Sequence, residues 1–551
     1  MSIDKIRLYN NLFTAILCVA ILIILLVETI INLTPVIDRD ALIHHLAIPK
    51  LWLKNGGFYE IKWAIYSYYP MNVDLLYLIP LYFNRDFLAK FIHMGFGIGT
   101  ALLIYWYLKN KISRIAGLLG ILIFLSTPMV VRLSTEVYAD LGLVFFTTAS
   151  ILAFIRYRDG EYKDFKWLFL SSVAMGLALG TKYNALIAWF FLSLAVVFVC
   201  SRDTGEQWKA IKCGLIFFLI SLSVFSPWLI KNSILTGNPL YPLLQGFFNT
   251  SSAIPQDGTY AIVSGNKYMG IFQTRQAMYG ESFWQTLLIP VRYFFQGQDN
   301  SYRYFDGVLN PVLIIMLPFA FLKRSFLHDK IFFTCFVAFI LLMTSFLDQI
   351  RIRYIFTIVP ILSILTVMGF MNIMSSAMSR PHQLKYVWTV VFLSVFIIIM
   401  SQNIRYIKDY YHKISPMNYV LGKESKDDFI SRHVKSYPAM KYINASTPVN
   451  ARIRLVFLAG RGYYLERPYE DDQSMGMNFI RGLVTACGTD ESFQDYIHSL
   501  GYTHLLVRMD VIRIFLQTNY SPDAGKLLIY RMNKNMDVLF NKSGHTVYKI
   551  K

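Results

Sequence analysis

The sequence predicts an α-helical polytopic membrane protein that ends in a small α/β domain, and three observations support this prediction. The 551 residues are 55% hydrophobic and only 16% charged, and the mean hydropathy is +0.43. Apolar stretches long enough to cross a bilayer recur through residues 1–403. From residue 404 to residue 551 the chain becomes polar, with short β-like runs at 452–458 and 503–508 and a helical pattern at 490–500.

We predict about eleven transmembrane helices from the positions of the apolar stretches. They lie at about 11–33, 86–108, 114–131, 138–155, 166–181, 184–200, 213–230, 308–322, 331–347, 354–374 and 387–403. The first helix is expected to be retained, because its apolar region is longer and bulkier than that of a cleaved signal peptide.

The net charge of +19 is better explained by membrane orientation than by nucleic-acid binding. Basic residues concentrate in alternate short loops, as the cytoplasmic loops of membrane proteins require. These residues are Lys5, Arg7, Lys109, Lys111, Arg114, Arg156, Arg158, Lys163, Lys166, Arg202, Lys209, Lys212, Lys323, Arg324, Lys330, Arg380 and Lys385. We therefore expect a multi-pass protein of the cell inner (plasma) membrane, with a cytoplasmic N-terminus, an extracytoplasmic C-terminal domain and no nucleic-acid partner.

In this topology the outer side receives residues 32–85, residues 231–307 and the domain 404–551. The loop 231–307 contains Lys267, Arg275, Arg292 and Arg303 among many aromatic residues, and we predict either a flexible lid over a head-group site or plain surface. The C-terminal domain offers no nucleophile with a neighbouring base, so a supporting or acceptor-binding role is expected. The five cysteines have neither metal-type nor disulfide-type spacing.

The stretch 36–57, VIDRDALIHHLAIPKLWLKNGG, is the most informative part of the chain. Asp38, Arg39 and Asp40 follow the first apolar helix closely, so they are expected at the membrane surface. The apolar residues that follow predict a helix lying along the interface, kinked at Pro49 and ended by two glycines. A second interfacial helix is predicted at 70–83, with Asp74 on it. In the alternative interpretation Asp40 only caps the interfacial helix that follows it, and the histidines pack at the interface.

Ionisable residues at a membrane rim are costly, so their convergence on the outer side predicts a site. The candidate catalytic residues are Asp40, Asp38 and Asp140, and the candidate substrate-binding residues are His45, Lys182, Lys231, Arg351, Arg353 and Glu136. A carboxylate could take the proton from an attacking hydroxyl, while Arg and Lys stabilise a departing phosphate. Alternatively, Asp40 and Asp140 could hold a divalent cation such as Mg²⁺ or Mn²⁺.

Several ionisable residues on the outer side also have a structural interpretation. Arg132 and Lys182 could extend their charges to the interface from apolar helices. Glu136 stands four residues after Arg132 on one predicted helix face, so the two could pair and leave only Asp140 for function.

Short motifs in these regions resemble a known family, the GT-C membrane glycosyltransferases that use polyprenol-phosphate donors. The group includes the protein O-mannosyltransferases, the lipid A aminoarabinose transferase and bacterial mannosyltransferase-like proteins. The motifs are Asp40-Ala41-Leu42 with His45-Leu46 and Pro49-Lys50, Tyr138-Ala139-Asp140-Leu141, Gly180-Thr181-Lys182-Tyr183, Pro227-Trp228 with Lys231-Asn232 and Gly237-Asn238-Pro239, and Arg353-Tyr354 leading to Pro360. They cover roughly the first 410 residues, whereas the tail matches only in general outline.

The resemblance implies an inverting transfer on the outer face, with Asp40 as the catalytic carboxylate and Asp38 as the neighbouring acidic residue. It also implies that Lys182 and Arg353 lie near the lipid phosphate. The first loop lacks the Asp-Glu pair of the protein mannosyltransferases, which puts a protein acceptor in doubt.

The predicted function is transfer of a hexose or pentose from a polyprenyl-phosphate carrier to a hydroxyl of a glycan, lipid or protein acceptor. The alternative is a transporter or flippase of lipid-linked sugars, in which the rim charges gate a pathway. The outer-side domain and the absence of evident sequence repeats favour the enzyme.

Overall fold

Among the residues that the computed structural model describes, eight helices are long and apolar enough to cross a membrane. The structure describes residues 3–248, 270–347, 350–379, 381–471 and 476–551, so Lys267 and Arg380 lie outside the described residues. The eight helices are Ile3–Asn32, Leu88–Lys111, Asp140–Asp159, Ala185–Thr204, Gln207–Thr236, Leu327–Thr344, Val359–Met378 and His382–Ile414. The last of them continues past residue 403, where we predicted the domain boundary.

The three other predicted spans are shorter or broken. Helices Arg114–Ser126 and Pro128–Ser134 meet at a bend of 71°, because Thr127 leaves the helical conformation and Pro128 begins the second segment. Helix Phe165–Leu179 has 15 residues. The stretch 308–322 forms only Val312–Ile315 and Leu317–Ala320. The α-helical membrane architecture is confirmed, but the described residues form eight spanning helices, or nine if the bent pair is one span, where about eleven were predicted.

The alternation of loops brings distant charges together at each end of the helix bundle. At one end, two cations of predicted cytoplasmic loops meet two carboxylates: Lys111 Nζ lies 2.7 Å from Asp159 and 3.4 Å from Asp329, and Arg158 contacts both carboxylates. Tyr107 donates a hydrogen bond of 2.5 Å to Asp329. We call these five residues the distal cluster. All of them come from loops or helix ends that the charge pattern assigned to one side.

At the opposite end the first outer loop folds into short helices. They are Ala41–His45, which is a π-helix, Ala47–Lys54, the 3₁₀ segment Ile65–Tyr68, Asn72–Leu76 and Leu78–Tyr82. The prediction of a kink at Pro49 was wrong. The break falls at Leu46, and Pro49 lies in the first turn of the next helix, where its missing N–H costs no hydrogen bond.

The described part of the second outer loop is also helical, with helices Gln245–Phe248, Ile271–Tyr279, Phe283–Leu287 and Ile289–Phe295. Two of the cations that we assigned to a lid are fixed in buried ion pairs. Arg275 Nε lies 2.6 Å and Arg292 Nη2 lies 2.9 Å from the carboxylate of Glu281. This part of the loop is therefore held in place by ionic contacts.

The C-terminal domain contains a five-stranded mixed sheet flanked by helices. Its strands are β1 (Ile453–Val456), β2 (Tyr469–Glu470), β3 (His504–Arg508), β4 (Met536–Lys542) and β5 (His545–Ile550), in the order β2-β1-β3-β5-β4. β1 is parallel to β2 and β3, whereas β5 is antiparallel to β3 and β4. The helices are Met417–Val420, Lys426–His433, Tyr437–Ser446, Met477–Ala486, Asp490–Ser499, Met509–Asn519 and Pro522–Asn535.

This domain packs directly on the first outer loop. Lys50 and Lys54 both pair with Glu466, at 2.7 and 2.5 Å. The hydroxyl of Tyr464 donates a hydrogen bond of 2.5 Å to the carbonyl of Val36. The stretch around Asp40 therefore lies between the helix bundle and the C-terminal domain.

Candidate active site

The first outer loop is anchored by residues of the motifs that suggested the family. Trp228 Nε1 donates to the side chain of Asn72 at 2.8 Å, and Lys231 Nζ donates to the carbonyl of Ser67 at 2.7 Å. The backbone N–H of Asn72 donates to the carbonyl of Gly180 at 2.8 Å. A Cβ at Gly180 would stand 2.1 Å from the Asn72 amide, so only glycine permits this approach. These contacts hold the loop against helix Gln207–Thr236 and against Gly180, which ends helix Phe165–Leu179 two residues before Lys182.

The carboxylate of Asp40 pairs with the arginine that precedes the predicted tenth helix. Arg353 Nη1 donates to Asp40 Oδ2 at 2.5 Å, and each side chain is 14% exposed. Asp40 precedes the π-helix but makes no side-chain capping bond, so the interpretation of Asp40 as a helix cap was wrong. Burial raises the pKa of Asp40, but the positive charge of Arg353 outweighs it and holds the pKa well below its ordinary value. Asp40 is therefore ionised at neutral pH.

A small cavity of about 110 Å³ opens beside this ion pair. We call it the first-loop cavity. It is lined by four arginines, two carboxylates and three other polar residues: Arg39, Arg132, Arg351, Arg353, Asp40, Asp306, Tyr138, Asn300 and Tyr302. The guanidinium of Arg351 lies over the ring of Tyr302, 4.8 Å from its centre. The cavity thus brings together the first loop, the second loop and the segment before the tenth helix.

The arginines of the first-loop cavity differ in how fully they are paired. Arg132 donates to Glu136, Asp299 and Asp306, at 3.0–3.1 Å. The Nε atoms of Arg351 and Arg353 are buried, and neither has a hydrogen-bond partner among the described residues. Arg132 is therefore neutralised by protein carboxylates, whereas Arg351 and Arg353 retain donors for a bound anion.

Two further ion or hydrogen-bond pairs lie within electrostatic range of the Asp40–Arg353 pair. Lys182 Nζ donates to Asp140 Oδ1 at 2.8 Å, and Asp140 Oδ2 is buried without a partner within the described ranges. His45 Nδ1 lies 2.5 Å from Asp74 Oδ1. Burial raises the pKa of Asp74 to about 8 and lowers that of His45 to about 3. At neutral pH the proton therefore stays on Asp74, whose hydroxyl donates to the uncharged imidazole.

The remaining predicted residues lie outside the lining of the first-loop cavity. Asp38 accepts a hydrogen bond of 3.2 Å from the backbone N–H of Val137, and burial raises its pKa. Glu136 pairs with Arg132, as their four-residue spacing predicted. Lys231 contacts the backbone of the first loop. Asp40, Arg351 and Arg353 are thus the predicted site residues that the structure brings to the cavity.

A divalent cation held by Asp40 and Asp140 fits this arrangement poorly. Each carboxylate already faces a cation, Arg353 or Lys182, within 2.8 Å. A dication would meet both positive charges at close range. Within the described ranges, no group of three or more His, Cys, Asp or Glu side chains has a geometry suited to a metal ion.

Sequence reasoning missed several residues of this region. Tyr302, Asn300 and Asp306 line the cavity from the second loop, where no motif distinguishes them from other polar residues. The pairing of His45 with Asp74 joins two segments of the first loop that were identified only separately. The available signal was that both are ionisable residues in otherwise apolar stretches.

Comparisons with known proteins identify the fold. A family model described as dolichyl-phosphate-mannose-protein mannosyltransferase matches residues 58–235. The crystal structure of ArnT from Cupriavidus metallidurans bound to undecaprenyl phosphate superposes with a TM-score of 0.57 at 14% identity, over 98% of this chain and 97% of that one. The chain has the GT-C fold. No curated protein sequence matches it.

A second GT-C structure supports the same conclusion. The archaeal oligosaccharyltransferase AglB from Archaeoglobus fulgidus, in complex with an inhibitory peptide and a dolichol-phosphate, has a TM-score of 0.52 at 10% identity. The similarity covers 98% of this chain and 74% of AglB. The predicted resemblance to GT-C glycosyltransferases, made from short motifs in the first 410 residues, is confirmed, and the fold similarity extends through the tail.

Proposed function

We propose that this GT-C protein transfers a sugar from a polyprenyl-phosphate carrier to an acceptor hydroxyl on the extracytoplasmic side of the membrane. The observation that carries the proposal is the first-loop cavity, in which one ionised carboxylate, Asp40, stands beside Arg351 and Arg353. The similar ArnT structure holds undecaprenyl phosphate, and that of AglB holds a dolichol-phosphate. A polyprenyl-phosphate sugar is the donor that this combination of fold and charge suits.

In the proposed reaction Asp40 acts as general base. As the acceptor oxygen forms its bond to the anomeric carbon, the bond from that carbon to the phosphate oxygen breaks, and the electron pair leaves with the phosphate. The hydroxyl proton passes to Asp40. Attack from the face opposite the leaving group inverts the anomeric configuration. A positioned base of this kind contributes about 10²- to 10⁴-fold to the rate.

Arg353 and Arg351 stabilise the departing phosphate. Arg353 uses Nη1 to hold Asp40 and keeps Nε for a phosphate oxygen, so one planar guanidinium aligns base and leaving group. Arg351, held against Tyr302, supplies a second guanidinium. Because both lie in a partly buried cavity, their charges act at lower effective dielectric constant than in water.

The orientation in the membrane is part of the proposal. The basic loops favour a cytoplasmic N-terminus and an extracytoplasmic C-terminal domain, and the proposed location is the inner (plasma) membrane of the cell. The first-loop cavity and the C-terminal domain lie at the same end of the bundle, and the distal cluster lies at the other end. Accessibility of single cysteines introduced on each side would test this orientation.

The proposal is tested by measuring release of free polyprenyl phosphate from the purified protein in nanodiscs, given polyprenyl-phosphate sugars and a cell-envelope acceptor fraction. We expect acceptor-dependent release, and a loss of about 10²- to 10⁴-fold in Asp40→Asn, whose amide keeps the shape but cannot take a proton. Asp38→Asn is the matched control, with a smaller loss. A second set of reactions with EDTA tests the alternative in which a divalent cation acts with Asp40 and Asp140.

Wild-type turnover in Asp40→Asn would rule out Asp40 as the base. Binding of the lipid-linked sugar without any release, together with its movement across liposome membranes, would instead establish a flippase.

A further inference from the structure

A second cavity, larger than the first, lies at the carboxyl ends of β1 and β3. Its volume is about 260 Å³, and we call it the strand-end pocket. Its basic lining residues are Arg39, Arg461, Arg508 and His545, and the other lining residues are apolar or uncharged. In sheets with parallel strands this edge is the usual position of ligand sites, because the loops that follow the strands diverge there.

The charge of the strand-end pocket is entirely positive. Three of its lining residues are arginines, and none of the lining residues is a carboxylate. Arg508 pairs at 3.1 Å with Asp510, which is half exposed and lies outside the lining. Arg39 donates to the hydroxyl of Tyr302 at 3.3 Å, a neutral partner. The pocket therefore holds positive charge that nearby carboxylates only partly compensate.

Arg461 is the residue that most needs a ligand. Its Nε atom is buried and has no hydrogen-bond partner among the residues that the structure describes. Burial, followed by the neighbouring charges of Arg39 and Arg508, lowers the pKa of Arg461. Buried guanidinium donors are normally satisfied, because leaving one unpaired is costly. An anion in the pocket would remove both the unpaired donor and the repulsion between the three arginines.

The strand-end pocket adjoins the first-loop cavity. Arg39 lines both of them, and it separates Asp38 from Asp40 in the chain. The negative charge of Asp40 also acts on Arg461, which places the two side chains within electrostatic range. A molecule with its anionic group in the strand-end pocket could therefore extend a hydroxyl toward Asp40.

We propose that the strand-end pocket binds a phosphate group of the acceptor, so that the substrate of the C-terminal domain is a phosphorylated glycan or lipid. Three guanidiniums suit a phosphate dianion or a diphosphate better than a single carboxylate, because each planar fork can donate two hydrogen bonds to phosphate oxygens. Helix Met509–Asn519 begins directly after Arg508, so the positive end of its dipole also favours a bound anion. This inference rests on the proposed transfer reaction for the identity of the ligand, but the anion site itself does not depend on it.

The anion site is tested first without turnover. Binding of inorganic pyrophosphate to the full chain in phosphatidylcholine nanodiscs is measured by calorimetry, with acetate as the comparison anion. We expect saturable pyrophosphate binding that is weakened about tenfold or more in the double variant Arg461→Gln/Arg508→Gln, since charged hydrogen bonds are lost. The control Arg513→Gln removes an exposed arginine of helix Met509–Asn519, and this variant should bind pyrophosphate as the wild type does. The Arg351→Gln variant identifies any pyrophosphate bound in the first-loop cavity.

The acceptor assignment is tested next, with the envelope acceptor fraction before and after phosphatase treatment. The wild type should transfer sugar to the untreated fraction with the lower KM, and the double variant should no longer distinguish the two fractions. Arg461→Lys keeps the charge without the planar fork and should retain part of the preference, which covers the case in which the double variant fails to fold.

Several results would overturn the inference. Pyrophosphate binding that is absent, or equal in wild type and the double variant, rules out the anion site. Binding that is lost without any change in acceptor preference rules out the acceptor assignment. Wild-type protein could bind pyrophosphate more weakly in nanodiscs of anionic phospholipid than in phosphatidylcholine, while the double variant shows no such difference. This result would assign the pocket to a membrane head group. Absence of any transfer activity with intact pyrophosphate binding would refute the proposed function and leave the anion site standing.

Discussion

Both ends of the helix bundle contain clusters of buried charge, but among the described residues the carboxylates of the distal cluster are fully paired, whereas the opposite end has charged groups without partners. In the distal cluster, Asp159 and Asp329 each accept on both carboxylate oxygens, from Lys111, Arg158 and Tyr107. Two cations face two carboxylates, so the cluster is neutral and saturated. Such a cluster can fix the positions of helices but has little capacity to bind a further charged molecule.

The opposite end contains the same kinds of residue in a different balance. Arg351 and Arg353 each have a buried Nε without a partner among the described residues, and Asp140 has one such oxygen. A cavity adjoins them. Burial of charge alone therefore does not identify a site in a membrane protein. Unsatisfied donors beside an open volume are the distinguishing observation.

Removing one arginine from each end of the bundle tests whether the two ends differ in function. Arg353→Gln should lower transfer by about 10²- to 10³-fold, because it loses both the partner of Asp40 and a donor to the leaving phosphate. Arg158→Gln should lower the melting temperature, since breaking a buried pair costs about 3–5 kcal/mol, while the folded protein keeps its turnover. Both variants are compared by turnover per folded molecule and by thermal unfolding in detergent.

The pH profile of kcat/KM gives Arg353→Gln a second readout. In the wild type Arg353 holds the pKa of Asp40 well below its ordinary value, so Asp40 stays ionised. The enzyme should therefore lose activity only at very low pH, where Asp40 becomes protonated. Without Arg353 the pKa rises, and the acidic limb should move to higher pH. Equal losses of turnover at the two ends, or an unmoved acidic limb, would contradict the distinction drawn between them.

The sequence was sufficient to predict which charges share an end of the bundle, because helix order and loop alternation determine that. Asp40 and Arg353, 313 residues apart, were assigned to one rim and form an ion pair. The pairing of Arg132 with Glu136 followed from their spacing of four residues. The β-like runs at 452–458 and 503–508 became β1 and β3. In each case the prediction rested on local periodicity or on the topological side.

Contacts that depend on how whole segments pack could not be predicted in this way. Lys231 was assigned to substrate binding from its motif, but its Nζ contacts the carbonyl of Ser67. Arg461 and Arg508 meet Arg39 only because the C-terminal domain packs on the first loop. Nothing in their local sequence distinguishes them from other surface arginines, since the relevant partner is more than 400 residues away.

A substitution at Arg351 should show whether this residue acts in donor binding or in the transition state. Arg351 contacts the ring of Tyr302 and has no ion pair in the described part of the chain. Arg351→Gln should therefore raise the KM for the lipid donor by about tenfold, the loss expected for one charged hydrogen bond, with a smaller change in kcat. Arg85→Gln, an exposed arginine of the first outer loop, is the matched control. A fall in kcat with an unchanged donor KM would show instead that Arg351 acts mainly in the transition state.

The smallest expected effect concerns the pair of His45 and Asp74, where the pH dependence of stability is the readout. Burial raises the pKa of Asp74 to about 8, so the folded protein favours its protonated form. A raised carboxyl pKa contributes stability that is full below the ordinary pKa of aspartate and is lost as the pH rises through about 8. Asp74→Asn keeps a polar group there but does not titrate.

The melting temperature of the wild type, measured relative to Asp74→Asn, should therefore fall by about 1 °C for each kcal/mol of this contribution lost between pH 5 and pH 8.5. The control Asp495→Asn, which changes an exposed carboxylate, should follow the wild type across this range. A wild-type advantage that instead grows with pH would mean that Asp74 is ionised in the folded protein and forms a true ion pair with a protonated His45. In that case the first loop would carry a buried salt bridge within electrostatic range of Asp40, and the charge balance of the site would resemble that of the distal cluster.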